Sequence, residues 1–352
     1  MPFGVYLHVP FCRHRCDYCA FATWTDRAGL AERYLAACRR QVLEARPQLP
    51  PVTSVFIGGG TPTLVDPDAL LAVLDAIPLA PGAEVTLEAN PDDLDLDRAQ
   101  RYAAGGVTRI SIGVQSMVVS VLAALGRRHD PANVVTAMLA ARSAGLAVNV
   151  DLLYGACGET MEQWAETLDA AIALGPDHVS AYALTVEAGT PLAADPARHP
   201  DDDTQAEQYE LATDRLAAAG FDWYEISNWA RPGHECRHNQ LYWSGGEYLA
   251  VGCAAHGYLA GRRYWLHRTP ERYLAAIEEG RSPESGSEEL GADERRVELL
   301  QLAIRTRSGV AAGDVDGAEV DALAGFVERR EDRVVLTEPG RLLANEVAIR
   351  LT

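Results

Sequence analysis

Short, β-prone apolar runs alternate with segments of helical spacing through the first half of the chain. The runs are Val5–Val9, Ser54–Ile57, Glu84–Glu88, Arg109–Val114, Ala147–Leu153 and His178–Leu184. Between them, stretches such as Leu30–Leu43 and Pro131–Ser143 place apolar residues at helical intervals. Strand–helix alternation over this length predicts βαβ units around a parallel sheet, an α/β fold. Six such units form an open sheet or a partial (β/α)6 barrel. The two further strands of a closed eight-unit barrel are not evident in the pattern.

Each run ends in residues unusual for a plain turn. The first leads into Cys12, Cys16 and Cys19, and the second into Gly58-Gly59-Gly60-Thr61-Pro62. The others end in Glu88-Ala89-Asn90-Pro91, Gln115-Ser116, Asp151 with Tyr154-Gly155, and Thr185-Val186-Glu187. Parallel α/β folds build their sites at the carboxyl ends of the strands, so the six segments are expected to share one mouth. From about Pro270 the pattern changes. Helical stretches at Glu294–Arg305 and Glu319–Arg329 lead to a strand, Arg333–Thr337, and a closing helix, Glu338–Leu351. Helices with a short strand pair predict a small α+β accessory domain of winged-helix type.

Composition narrows the function. Of 352 residues, 31 are basic and 50 acidic, a formal charge of -19. Such a chain is repelled by phosphate backbones and anionic lipid, so nucleic-acid and membrane-surface partners are not expected. No apolar stretch is long enough to span a membrane, and no secretory signal is visible; a cytoplasmic location is expected. All the basic residues are arginine, which excludes a lysine Schiff base or a P-loop lysine. Seven cysteines, an odd number, argue for metal or redox use over a disulfide framework.

The sharpest chemical signal is Cys12-Arg13-His14-Arg15-Cys16-Asp17-Tyr18-Cys19, a C-x3-C-x2-C loop. Three close thiolates can hold three corners of an iron–sulfur cubane and leave the fourth iron open. Structural zinc would need a fourth ligand, which His14 is poorly placed to give; free thiols are the remaining alternative. Arg13 and Arg15 would offset the charge of a thiolate-bound cluster. The glycine triplet permits close backbone approach to a ligand.

These motifs resemble the radical S-adenosylmethionine (SAM) superfamily, and specifically its coproporphyrinogen III oxidase-like branch. Tyr6-Leu7-His8-Val9-Pro10-Phe11-Cys12, Glu88-Ala89-Asn90-Pro91, Gly113-Val114-Gln115-Ser116, Leu125-Gly126-Arg127-Arg128-His129, Asn149–Gly155 and Ser180–Leu184 follow that branch's order. The resemblance implies a partial barrel over 1–230 with a [4Fe-4S] cluster on Cys12, Cys16 and Cys19. It further implies SAM contacts from Gly59, Gly60, Thr61, Glu88, Gln115, Arg127 and Asp151, with Tyr6 and Tyr18 nearby. Arg127 suits a carboxylate, and Glu88 and Asp151 suit ribose hydroxyls or an ammonium group.

A segment over 231–269 carries His238-Asn239-Gln240-Leu241-Tyr242-Trp243, similar to the signature of HemW-type haem chaperones, and 270–352 forms the accessory domain. That likeness implies haem held by His238, with Asn239, Tyr242 and Trp243 around it, and passed to an acceptor such as a respiratory enzyme. Cys236 and His256 are secondary ligand candidates; His8, His129 and His178 read as structural. Buried core aromatics with a hydrogen-bonded His238 is the competing account of this motif. Oxidative decarboxylation of coproporphyrinogen III is the alternative function. Phe21 stands where the oxidases carry a further cysteine, and the chain begins close to Tyr6 without their extension; both count against it. A monomer or weak dimer is expected.

Overall fold

The computed structural model describes residues 2–352. All six expected strands form: β1 (Phe3–Val9), β2 (Val52–Gly59), β3 (Leu79–Ala89), β4 (Arg109–Gln115), β5 (Ala147–Tyr154) and β6 (His178–Ala183). They pair in sequence order, every neighbour parallel. Crossover helices include Ala31–Ala45, Pro131–Ser143 and Met161–Ala173. Their starts are built from caps: Asp130 accepts from Ala132 N before Pro131, and Thr160 and Gln163 form a reciprocal box.

The strands alternate in a way that sets where the core lies. Val5, Leu7, Val55, Ile57, Ile110, Ile112, Val148, Val150 and Val179 are at most 1% exposed and pack with helix residues such as Leu35, Val73, Met138 and Trp164. The intervening positions of β4 to β6 (Arg109, Ser111, Gly113, Gln115; Asn149, Asp151; His178, Ser180, Tyr182) line a cavity on the other face. A closed (β/α)8 barrel fills this space with branched apolar side chains. Here the apolar core sits between strands and helices, and the inside of the arc over β4 to β6 carries mostly polar side chains.

Six more strands extend the arc into one twelve-stranded sheet. They are β7 (Asp222–Glu225), β8 (Asn228–Ala230), β9 (Glu247–Val251), β10 (His256–Leu259), β11 (Arg262–Leu266) and β12 (Glu284–Glu289). β9 lies parallel to β1 on its outer side, and β8 runs antiparallel to β6. The helix Arg237–Trp243 sits between β8 and β9 in sequence and packs on β1 and β2.

The carboxyl-terminal unit differs from expectation in four respects. It begins later than Pro270: the helix Pro270–Glu278 buries Tyr273, Leu274 and Ile277 in the main core, and β12 belongs to the main sheet. The second core gathers Leu300, Ile304, Val310, Val320, Val334 and Val347. Its sheet has three antiparallel strands, β13 (Val310–Ala311), β14 (Val327–Arg330) and β15 (Arg333–Leu336), in the order β13-β15-β14. The helix expected over Glu319–Arg329 stops at Ala322. Gly325, at φ +95°, turns the chain into β14 there. The closing helix is two, Glu338–Leu342 and Ala344–Arg350, divided at Leu343. Arg341 anchors the unit to the barrel, its guanidinium 3.9 Å from the centre of the Trp223 ring. No helix among the described residues is long and apolar enough to cross a membrane.

Candidate functional site

A cavity of about 700 Å³ opens above the carboxyl ends of the strands and reaches deep into the arc. The cysteine loop forms part of its wall. Both ends of that loop are fixed by backbone bonds: Trp24 N donates to Pro10 O (2.8 Å) and Cys12 N to Trp24 O (3.1 Å). The glycine turn is joined to the loop's start, with Gly60 N donating to Val9 O and Thr61 N to Phe11 O, both at 2.8 Å. Only glycine permits this approach, because a Cβ on Gly60 would stand 2.6 Å from Phe11 O. Ion pairs Arg13–Asp93 (2.6 Å) and Arg198–Asp17 (2.9 Å) brace the loop from other βα segments.

Cys12, Cys16 and Cys19 are unpaired and half-buried on this wall. Burial pushes the Cys12 and Cys19 thiols up, so a positive centre is needed to hold them as thiolates. Among the described residues no three His, Cys, Asp or Glu side chains converge on one point as a single ion requires. Three thiolates can each ligate one iron of a multinuclear cluster, whereas a closed zinc site needs a fourth donor. Donors stand ready at the sulfurs: Thr61 Oγ1 is 3.8 Å from Cys12 Sγ, and Arg127 Nη1 is 3.6 Å from Cys16 Sγ.

Gly59, Gly60, Thr61, Tyr18, Glu88, Gln115, Arg127 and Asp151 all line the same cavity. Glu88 Oε2 accepts from Gly59 N at 2.9 Å. Burial, with the nearby Asp151 charge, lifts the Glu88 carboxyl to about 8, against the opposing pull of that bond. It is therefore largely protonated at neutral pH until a cation arrives. Asp151 is also raised by burial, though Ser111 Oγ (2.7 Å) and Asn149 Nδ2 (2.8 Å) donate to it. Arg127 donates to Gly113 O at 2.6 Å, and its Nε is buried without a partner. Gln115 adopts φ +64° at a register shift in β4, a strained conformation that aims its amide into the cavity. An orphaned guanidinium nitrogen, a raised carboxyl and a glycine cradle together suit a zwitterionic ligand with a further positive centre.

Tyr6 is not in the cavity wall. Its hydroxyl meets His8 Nδ1 at 3.0 Å, and His8 Nε2 reaches Ala22 O at 2.9 Å, so Tyr6 steadies the far end of the cysteine loop. The motif at 238–243 needs a larger correction. His238 is fully buried, with Nδ1 3.0 Å from Ser54 Oγ and Nε2 2.8 Å from Tyr242 OH. Both ring nitrogens are occupied, and burial lowers the imidazole to about 3. The ring packs behind Phe56, which itself faces the cavity. His238 thus offers no nitrogen to a haem iron in this conformation. Tyr242 stacks edge-on against Tyr248, and of the four motif residues only Asn239 reaches the cavity. Cys236 is buried with its Sγ 3.5 Å from Glu84, and His256 is not in the cavity wall.

Several wall residues escaped the sequence reading. Arg109, Ser111 and Ser180 were signalled by polar residues at every second position of apolar strands. His129 and His178, read as structural, also line the cavity. Neither ring nitrogen of His129 has a hydrogen-bond partner, and burial lowers it to about 4.

Comparison with known proteins places these features. Residues 6–171 match the sequence profile of the radical SAM superfamily. A protein named "Heme chaperone HemW" from Mycobacterium tuberculosis is 44% identical over 98% of this chain and 94% of its own length. The Escherichia coli protein of the same name is 35% identical over 98% and 97%. Mouse "Radical S-adenosyl methionine domain-containing protein 1, mitochondrial" is 37% identical over 87% of this chain and 74% of its own length. The solved structure of E. coli coproporphyrinogen III oxidase superposes with a TM-score of 0.86 at 22% identity, covering 99% of this chain and 90% of that one; it shares the fold.

Proposed function

The chain belongs to the HemW haem-chaperone family of the radical SAM superfamily, and from that premise we propose that it is a haem carrier. It binds haem beside a [4Fe-4S] cluster and SAM and delivers the haem to an acceptor protein. The observation that carries this reading is the single cavity that gathers three free cysteines with Glu88, Gln115, Arg127 and Asp151. When bound, a cluster with one open iron supplies a low-potential electron and a coordination site for an amino-acid ligand.

The chain's own residues do the positioning. Cys12, Cys16 and Cys19 hold the cluster. Arg127 neutralises the thiolates and pairs with a carboxylate. Glu88 gives up its proton as a cationic ligand arrives, and Gly59 and Gly60 let that ligand rest against backbone. Tyr18, Thr61, Gln115 and Asp151 complete the SAM contacts. Haem enters the same cavity. The acceptor is a haem-requiring protein such as a respiratory enzyme, and the carrier works in the cytoplasm as a monomer or weak dimer.

Anaerobic reconstitution tests the reading. About four irons should bind, the reduced spectrum should change on adding SAM, and haem should titrate to one equivalent. Cys12→Ala, Cys16→Ala and Cys19→Ala should each abolish the cluster. Turnover of coproporphyrinogen III under reducing conditions would replace the carrier with an oxidase.

A further inference from the structure

At the amino end of β4 the cavity wall holds a guanidinium with a nitrogen that is buried and unpartnered. Arg109 opens β4 and is 5% exposed, yet its guanidinium lines the cavity. Its Nη2 is buried without a hydrogen-bond partner. Two carboxylates lie within its electrostatic reach, Glu84 and Asp151, and both are engaged elsewhere. Glu84 accepts from the backbone of Arg237 (3.0 Å) and His238 (3.1 Å), capping the helix Arg237–Trp243. Asp151 is held by Ser111 and Asn149. These acids temper the charge of Arg109 without supplying acceptor oxygens. A buried guanidinium carries five donors in a planar fork, and leaving them unmet is costly. Asn239, on the helix that Glu84 caps, lines the same cavity.

We propose that Arg109 and Asn239 form an acid-binding floor that takes one carboxylate arm of the ligand inserted into the barrel. A carboxylate matches the fork with two parallel hydrogen bonds, as a hydroxyl or an ether oxygen does not. The assignment rests on the haem-carrier reading for its ligand: the arm is then a propionate of the macrocycle. It also gives Asn239 of the 238–243 motif a role in ligand binding, while His238 holds the helix in place.

The test uses the reconstituted protein. Wild type should bind haem at least ~10-fold more tightly than haem dimethyl ester, whose acid arms are blocked, in keeping with loss of a charge-assisted pair. In Arg109→Gln that preference should disappear while affinity for the ester is unchanged. Asn239→Ala should reduce the preference in part. Both variants should retain wild-type iron content, which reports a folded barrel. A full preference for the free acid in Arg109→Gln overturns the assignment. Should wild type bind neither porphyrin, the carrier reading falls and succinate decides the subsite. Succinate raising the melting temperature of wild type but not of Arg109→Gln supports it; an equal response in both overturns it.

Discussion

Replacing Glu88 with glutamine should make the protein more stable above neutral pH, an unusual result for a residue in a binding site. The carboxyl is lifted from 4.5 to about 8, first by burial and then by Asp151. A carboxyl raised on folding stabilises fully below about pH 4.5, and that contribution declines until it is lost above about pH 8. At about 1.4 kcal/mol per decade, the whole span is worth about 5 kcal/mol, of which about 3 is already lost at pH 7. The substituted amide keeps an oxygen for Gly59 N and has nothing to ionise. Denaturant melts of wild type and Glu88→Gln, without SAM, should therefore diverge from about pH 4.5 to 8 and run parallel above about pH 9. Added SAM should bind wild type more tightly as pH rises through 8, with the variant indifferent. A constant stability difference across this range would refute the account of Glu88 as a neutral acid awaiting a cation.

His238→Ala should cost about 2–4 kcal/mol of stability even without haem, because it removes a buried ring and leaves Ser54 and Tyr242 unpaired; lost haem affinity at unchanged melting temperature would contradict this. Arg127→Lys should weaken SAM binding about tenfold or more in calorimetry, since an ammonium cannot serve Gly113 O, Cys16 and a carboxylate together. Gly59→Ala should melt several degrees lower and lose SAM binding: the residue sits at φ +115°, and a Cβ would lie 2.4 Å from the His8 ring.

The strand–helix rhythm made the six barrel strands legible, since each is a short apolar run bounded by turn residues. The shared mouth followed from where those runs end. The cysteine loop, Glu88, Gln115 and Asp151 stand out because their chemistry is out of place at a strand end, whereas Arg127, which follows the helix Val119–Ala124, is named by the family resemblance alone. The depth of the site was harder to see. In Arg109-Ile110-Ser111-Ile112-Gly113-Val114-Gln115 the period-two alternation marks two faces, but it cannot say that the polar face encloses a space. His238 misled for a related reason. An imidazole beside two aromatics suits a macrocycle, yet its partner Ser54 lies 184 positions away, beyond any local pattern. β12 was absorbed into the wrong unit because Glu284–Glu289 is an exposed, charged edge strand with little apolar signature.

The separation of the two faces of the arc also bears on how such a protein changes over time. Its cohesion comes from the layer between strands and helices, where Val150 and Trp164 meet the solvent-hidden core. Its selectivity comes from a lining that stands outside that layer. Substitutions on the inward positions can therefore retune which guest is admitted while leaving that apolar layer intact.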